Sequence, residues 1–369
     1  MKNILVVFGG ESVEHEVSII TGVMTVNSVD KEKYNAIPVY VDRSGKWYSG
    51  EYLLDVDNYK SIDYKKIYSV ALFSGDNAIY KVKGKKLKSI CKISAVINCM
   101  HGERGEDGSL AGLLKLCNIP LISPGLIPSA VFMDKQQTKL ALKSINIKTL
   151  DGVTVSSVRE GKTALSKLGL PLIIKPCNGG SSIGVIKVEK ESDLQNAVLF
   201  ALKFDKRVII ERALDDFVEI NCACYKASDE RICVSECEKP IGRKEFLTFD
   251  DKYNDGKREF PAKIDKKFKD KIQGITKKIY GAFNFTGVIR IDFFITEKTI
   301  YVNEVNTVPG SLAYYLFCNT LKEFKHLLSE MIEVCLISYA KDSNVIREYR
   351  SGILTSMGSK GAKTVEKNR

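Results

Sequence analysis

Between Thr286 and Gly310 the chain reads TGVIRIDFFITEKTIYVNEVNTVPG, and four polar residues interrupt two apolar runs of strand type. Arg290 and Asp292 lie two apart in the first run, Glu304 and Asn306 two apart in the second, so alternation puts each pair on one face of its strand. A polar turn at 296–298 joins 287–295 to 299–305, which predicts a hairpin. If the strands pair, one face offers a cation, two carboxylates and an amide. Oxygen donors of that kind suit a hard cation such as Mg2+, which usually keeps phosphate oxygens in its shell. A solvated antiparallel face would have the same composition, so these four residues alone leave both readings open.

Three further stretches carry groups suited to anion chemistry. A strand at 170–175 ends in Lys175 and runs into PCNGGSSIG at 176–184, with a second strand at 185–188. A loop of small residues with free amides can fold over phosphates, and a lysine can meet them as a point charge. The loop joins two strands and lacks GxxxxGK[ST], so it is not a Walker loop. His101 follows an apolar strand at 93–98 in a glycine-rich acidic turn, MHGERGEDG, that opens a helix at 109–116. Ligands of open α/β sheets sit at such strand ends, although a lone histidine there is more often structural. At the N-terminus a strand at 2–8 passes through Gly9-Gly10-Glu11-Ser12 into a helix at 16–28, the strand–turn–helix unit of doubly wound folds.

The elements that must position these groups follow from periodicity and punctuation. A strand at 34–41 follows the first helix, residues 50–90 are short, polar and left unassigned, and 120–128 reads as a domain boundary. Helices are expected at 161–168, 192–203 and 265–281, a strand at 207–210 ending in Glu211-Arg212, and a hairpin from 217–225 and 231–236. A strand followed by an acidic residue and a linker suits an adenine-binding hinge, but surface Glu-Arg pairs are common. The long polar stretch 238–262 reads as a functional lid or as disorder. Residues 319–341 are mainly helical, and 350–369 are basic, poor in apolar residues and expected to be disordered.

Totals bound the class. The chain's 369 residues suit two or three domains, and 44% hydrophobic with 27% charged residues is an ordinary globular composition. No run of about 18 apolar residues predicts a membrane span. The N-terminus reads as a first strand and not a signal peptide, so a cytoplasmic protein is expected. Ten cysteines fit that compartment if reduced. Cys222-x-Cys224 with Cys233-x3-Cys237 matches none of the common zinc spacings, which favours buried thiols acting as small hydrophobes. The net charge of +11 raises nucleic acid as a partner, but the basic residues are scattered, and no stacking aromatic pattern accompanies them. A solvated basic surface is the favoured reading.

Taken in order, the motifs are more specific than any one of them. GGxSxExxVS at 9–18, HGxxGEDG at 101–108, MDK at 133–135, IKPxxxGSSxG at 174–184, RID at 290–292 and NEVNTxPG at 303–310 together resemble the D-alanine–D-alanine ligase family of the ATP-grasp superfamily. The match runs in register from about residue 3 to 340. It implies an α/β, three-domain ATP-grasp fold: an N-terminal Rossmann-like substrate domain over 1–128, a central subdomain over 129–217, a C-terminal subdomain over 218–345, and a tail at 346–369. ATP would lie between the second and third domains.

By this resemblance Glu14 holds the first D-alanine's ammonium and the loop serine Ser181, with Ser182 beside it over the phosphates. Lys135 and Lys175 grip those phosphates, Glu211 receives the adenine amino group, Arg212 stands where the family often has lysine, and Glu219 binds the ribose. His101 lies near the first substrate's carboxylate, and Arg290 meets the transferred phosphate and the tetrahedral oxyanion. Asp292, Glu304 and Asn306 match the Mg2+ ligands, and Lys252 and Tyr253 in FLTFDDKY match the lid's lysine–tyrosine pair. The implied activity is ATP-dependent joining of two D-alanines through an acyl phosphate, for peptidoglycan precursors. ATP is a substrate, with two Mg2+ ions for which Mn2+ can stand in. A homodimer is implied, with no nucleic-acid or membrane partner.

There is one departure. Many members carry an FTxHS-type segment after NTxPG, whose serine and next amide bind the second substrate's carboxylate. Here the segment is Ser311-Leu312-Ala313-Tyr314-Tyr315-Leu316, with Tyr315 in the serine's place. Ser311, Tyr315 and Leu316 are therefore the candidate second-substrate residues, and a different acceptor such as D-serine stays open. Tyr253 is the residue type associated with amine acceptors, which disfavours a hydroxy acid.

Overall fold

The computed structural model describes residues 1–241, 257–342, 344–346 and 348–351. Lys252 and Tyr253, most of the expected lid and most of the basic tail lie outside the described residues.

The apolar run Lys2–Gly9 forms an interior strand of an eight-stranded sheet, buried along nearly its whole length. It pairs in parallel with Tyr34–Val41 on one side and Ala95–Asn98 on the other. Helix His15–Ser28 packs across it, and the approach is close at Gly22, where an added Cβ would sit 2.2 Å from the Phe8 ring. The unassigned stretch 50–90 supplies two short 3-10 turns, Glu51–Leu54 and Val56–Lys60, and three antiparallel strands, Tyr68–Ala71, Ala78–Lys83 and Lys86–Lys92. The last of these strands is exposed on both faces, so it carries no alternation for a sequence reading to find.

Two four-stranded sheets follow. The first orders Ile186–Val188, Leu172–Pro176, Val208–Arg212 and Gly152–Val155, all antiparallel. Its strands Leu172–Pro176 and Ile186–Val188 flank the glycine-serine loop, as expected. The second sheet orders Ile232–Val234, Val218–Lys226, Val288–Ile295 and Ile300–Asn306. Buried Cys222, Cys224 and Cys237 pack there among Ile279, Ile289 and Phe293, as small apolar groups. The final helix Leu321–Asp342 inserts Phe324, Leu328 and Ile332 into the same core as Ile4, Val6 and Phe8. Residues 308–316 join that core as well, so the segment after the opening hairpin is clamped against the N-terminal sheet.

Candidate active site

The expected hairpin forms between Val288–Ile295 and Ile300–Asn306. Its register sets Arg290 opposite Asn306 and Asp292 opposite Glu304, with an irregularity directly after Asp292. This face is not solvated, because Asp292 is only 1% exposed. All four side chains line a cavity of about 380 Å3 between the three sheets. Arg290 grips Asp292 with two bonds, Nε to Oδ1 at 2.7 Å and Nη2 to Oδ2 at 2.9 Å, and Asn306 Nδ2 donates to Oδ2 at 3.0 Å. Burial opposes the charge on Arg290, but Asp292 foremost holds its pKa well above the usual arginine range. Two carboxylates directly opposed across a ladder repel one another. Their joint placement with an amide oxygen source fits a hard divalent cation.

A smaller cavity of about 90 Å3 adjoins the first and shares Lys135, Gly179, Gly180, Glu219, Asn303 and Glu304 with it. Its walls include Ile173, Leu214, Phe217 and Phe294, an apolar slot suited to a flat ring, with Lys175, Ser182, Glu211 and Arg212 at its polar edge. Helix Lys135–Ser144 starts at this edge because Asp134 caps it, accepting from Gln136 N at 2.8 Å and Gln137 N at 3.0 Å. Lys135 Nζ donates to Gly179 O at 2.7 Å, inside the glycine-serine loop. Lys175 Nζ meets Glu211 Oε2 at 2.6 Å and Asn303 Oδ1 at 3.2 Å, and Lys139 also pairs with Glu211. Burial works against the Glu211 carboxylate, yet Lys175 and Lys139 hold it down to about 2. Burial lowers the pKa of both Lys135 and Lys139. A set of partly desolvated lysines beside a loop of backbone amides is a phosphate-binding arrangement.

The N-terminal sheet closes the other side. Ser181 Oγ donates to the buried Glu14 carboxylate, so the loop and the first glycine turn meet directly. At Gly180 an added Cβ would lie 3.1 Å from a Glu14 oxygen, a close approach of the loop backbone to that carboxylate. His101 Nε2 lies 3.0 Å from Thr21 Oγ1, and that oxygen accepts from Ser311 N at 3.0 Å.

These three sides enclose one space that faces an anion site, an oxygen-donor site and a carboxylate–serine pair. The D-ala D-ala ligase N-terminus family matches residues 3–124, and the D-ala D-ala ligase C-terminus family matches residues 139–333. The chain belongs to the D-alanine–D-alanine ligase family. It is 37% identical to the D-alanine–D-alanine ligase of Thermosipho melanesiensis, over 94% of this chain and 96% of that protein. The crystal structure of the Helicobacter pylori D-alanine–D-alanine ligase superposes with a TM-score of 0.75 at 31% identity, covering 90% of this chain and 98% of that one. The VanG D-Ala:D-Ser ligase of Enterococcus faecalis gives 0.76 at 29% identity, covering 92% and 99%.

Against the ligase pattern, the cavities bring together Glu14, His101, Lys135, Lys175, Ser181, Ser182, Glu211, Arg212, Glu219, Arg290, Asp292, Glu304, Asn306, Ser311 and Tyr315. Leu316 is different: its side chain packs into the core and lines neither cavity. Two residues near the ligase motifs were not singled out by sequence. Lys139 lies one helical turn beyond Lys135, a spacing that puts both on one face and could have revealed it. Glu106, inside HGxxGEDG, accepts from Gly102 N at 2.8 Å, Val308 N at 2.9 Å and Thr307 Oγ1 at 3.2 Å, so it ties the first sheet to the segment after Asn306. Burial first, and then the charge of Glu14, push Glu106 up to about 7.

His101 is buried, and desolvation pulls its pKa down to about 4, so it is neutral at pH 7. The unfolded chain binds a proton near pH 6.5 that the folded imidazole refuses, so this group costs stability as pH falls from about 6.5 toward 4. His101→Gln removes that titration. The stability gap between wild type and His101→Gln should shift against the wild type across this window, at up to about 1.4 kcal/mol per pH unit. Urea unfolding at a series of pH values checks it, and a gap independent of pH would contradict it.

Proposed function

We propose that this protein joins two D-alanines to D-alanyl-D-alanine with hydrolysis of ATP to ADP and phosphate, for peptidoglycan precursors. The observation that carries the reading is the convergence, in two adjoining cavities, of the Glu14–Ser181 pair, the lysine-edged slot and the Arg290–Asp292–Glu304–Asn306 face. The curated relatives that match over nine-tenths of the chain carry the D-alanine–D-alanine ligase name, which favours D-alanine over D-serine as the acceptor.

The chemistry brings two anions together, the carboxylate of the first D-alanine and the γ-phosphate of ATP, so catalysis rests on positioning and on cations. Glu14 holds the first substrate's ammonium, with Ser181 fixing the carboxylate's orientation. His101, neutral and bonded to Thr21, presents a polar ring near the same substrate without adding charge. The apolar slot takes adenine, with Glu211 and Arg212 at its rim and Glu219 toward the ribose. Lys135, Lys175 and the amides around Ser182 receive the phosphates. Asp292, Glu304 and Asn306 would hold Mg2+, which supplies positive charge to the phosphate oxygens when bound. Phosphoryl transfer gives an acyl phosphate. Arg290, facing the same space, meets the charge that develops on the transferred group and then on the tetrahedral oxyanion. The second D-alanine's amine, deprotonated, attacks the carbonyl, and inorganic phosphate leaves.

We also place the enzyme in the cytoplasm as a homodimer. Among the described residues no helix is long and apolar enough to cross a membrane. Sedimentation tests the assembly, and a monomer at working concentration would contradict it.

Glu14→Gln keeps size and loses charge. Hydrogen bonds to charged groups contribute about 1.5–3 kcal/mol, so kcat/KM for the first D-alanine should fall roughly 10- to 100-fold with the KM for ATP unchanged. Initial rates at saturating ATP measure it, and an unaltered first-site KM would remove Glu14 from the ammonium site. The general reading is tested by thermal unfolding with and without ATP and Mg2+, beside retention on heparin. Stabilisation by the nucleotide is expected; salt-sensitive nucleic-acid affinity without that stabilisation would overturn the ligase reading.

A further inference from the structure

The cavity wall opposite the lysines is built differently from the rest. Ser311, Leu312 and Ala313 take φ values of 52°, 50° and 49°, three successive residues with side chains in the left-handed region. Such backbone is unfavourable for L-residues and persists where the surroundings over-determine it. Here Ser311 N is anchored on Thr21, Leu312 N bonds Pro309 O at 2.8 Å, and Leu312 and Ala313 are buried. The result is that Tyr315 stands in the cavity wall, with its hydroxyl 3.4 Å from Arg290 Nη1.

On the Tyr315 ring lies the guanidinium of Arg258, 4.8 Å from the centroid, with the Phe260 ring 5.1 Å away. Arg258 is positioned by a two-stranded ladder in which it pairs with Pro240. Its Nη1 donates to Glu238 Oε1 at 3.1 Å and Tyr315 O at 3.4 Å. Among the described residues its Nε and Nη2 make no hydrogen bond. About a third of the side chain is exposed, and it lines the large cavity. Arg290, by contrast, is committed to Asp292 through two bonds, and Lys135 and Lys175 serve the phosphate end. A planar cation held flat on aromatic rings, with donors facing a cavity, matches a carboxylate in a way that a lone hydroxyl does not.

We propose that Arg258, carried on the ring of Tyr315, binds the carboxylate of the second amino acid. The inference rests on the ligase reading and deepens it, because it assigns acceptor recognition to a residue outside the NEVNTxPG motif. The left-handed turn sets the height of the Tyr315 platform, and Glu238 orients the guanidinium from the far side.

The test is a competition between acceptors. The enzyme is given ATP, Mg2+, D-alanine and an equal concentration of D-alaninamide, and the ratio of D-Ala-D-Ala to D-Ala-D-alaninamide is read by mass. That ratio reports the acceptor step alone, because everything before it is shared. Wild type should favour the free acid strongly. Arg258→Gln should reduce the ratio at least about tenfold, Arg258→Lys less, and the KM values for ATP and for the first D-alanine should stay put. Tyr315→Phe should keep most of the preference, since the ring is retained, whereas Tyr315→Leu should lose it. An unchanged ratio in Arg258→Gln would overturn the proposal while the ligase reading stands. Absence of either dipeptide with the wild type would instead overturn the ligase reading itself.

Discussion

Glu304→Ala should lower turnover roughly a thousandfold or more while leaving the fold nearly as stable as the wild type. On the proposed metal role, the expected size follows from removing one oxygen donor of a cation whose charge stabilisation amounts to several kcal/mol, at 1.36 kcal/mol per tenfold. Arg290 bonds Asp292 and Tyr315, so Glu304→Ala leaves that pair in place. Asp292→Ala should cost at least as much activity, but it also strands the largely buried Arg290 without its carboxylate partner, at up to about 3 kcal/mol of stability. The two variants therefore differ in melting and agree in chemistry. Rates of ADP release at saturating Mg2+, together with denaturant unfolding, distinguish them. Near wild-type turnover in Glu304→Ala would remove that residue from the metal site.

Arg290→Lys should reduce kcat roughly 100- to 1,000-fold, the scale seen when one preorganised donor to a developing oxyanion is lost. Lysine keeps the charge but cannot supply the fork that meets both oxygens of Asp292, at 2.7 and 2.9 Å, and also reach the Tyr315 hydroxyl. The loss should fall on kcat more than on the KM for ATP or D-alanine, since the group acts on charge that appears only during the reaction. Equal losses in kcat and in substrate binding would instead mark Arg290 as a structural partner of Asp292.

Much of this site was legible from residue types and order. Alternation placed Arg290 with Asp292 and Glu304 with Asn306, and the hairpin register realises that pairing directly. The strand–loop–strand reading of Lys175 and its glycine-serine loop holds because the flanking runs are mainly apolar and the loop is not. What escaped was whatever depends on distance in sequence. Lys139 and Lys175 share Glu211 only because a helix and a strand converge, and Glu106 reaches Val308 across about two hundred residues. Arg258 lies at the end of a polar stretch without periodicity, so nothing local distinguishes it from a solvated arginine. At Leu316 the side chain packs into the core, while the role that the resemblance implies there belongs to a backbone amide, which side-chain patterning does not report.

The central claim is the dipeptide itself. Phosphate release should be measured with ATP, Mg2+ and a panel of D-amino and D-hydroxy acids, with each product identified by mass. The account predicts D-alanine with D-alanine as the best pair, giving one ADP and one phosphate per D-alanyl-D-alanine. A clear preference for D-serine or D-lactate as the second substrate, or ATP turnover with no dipeptide at all, would contradict it.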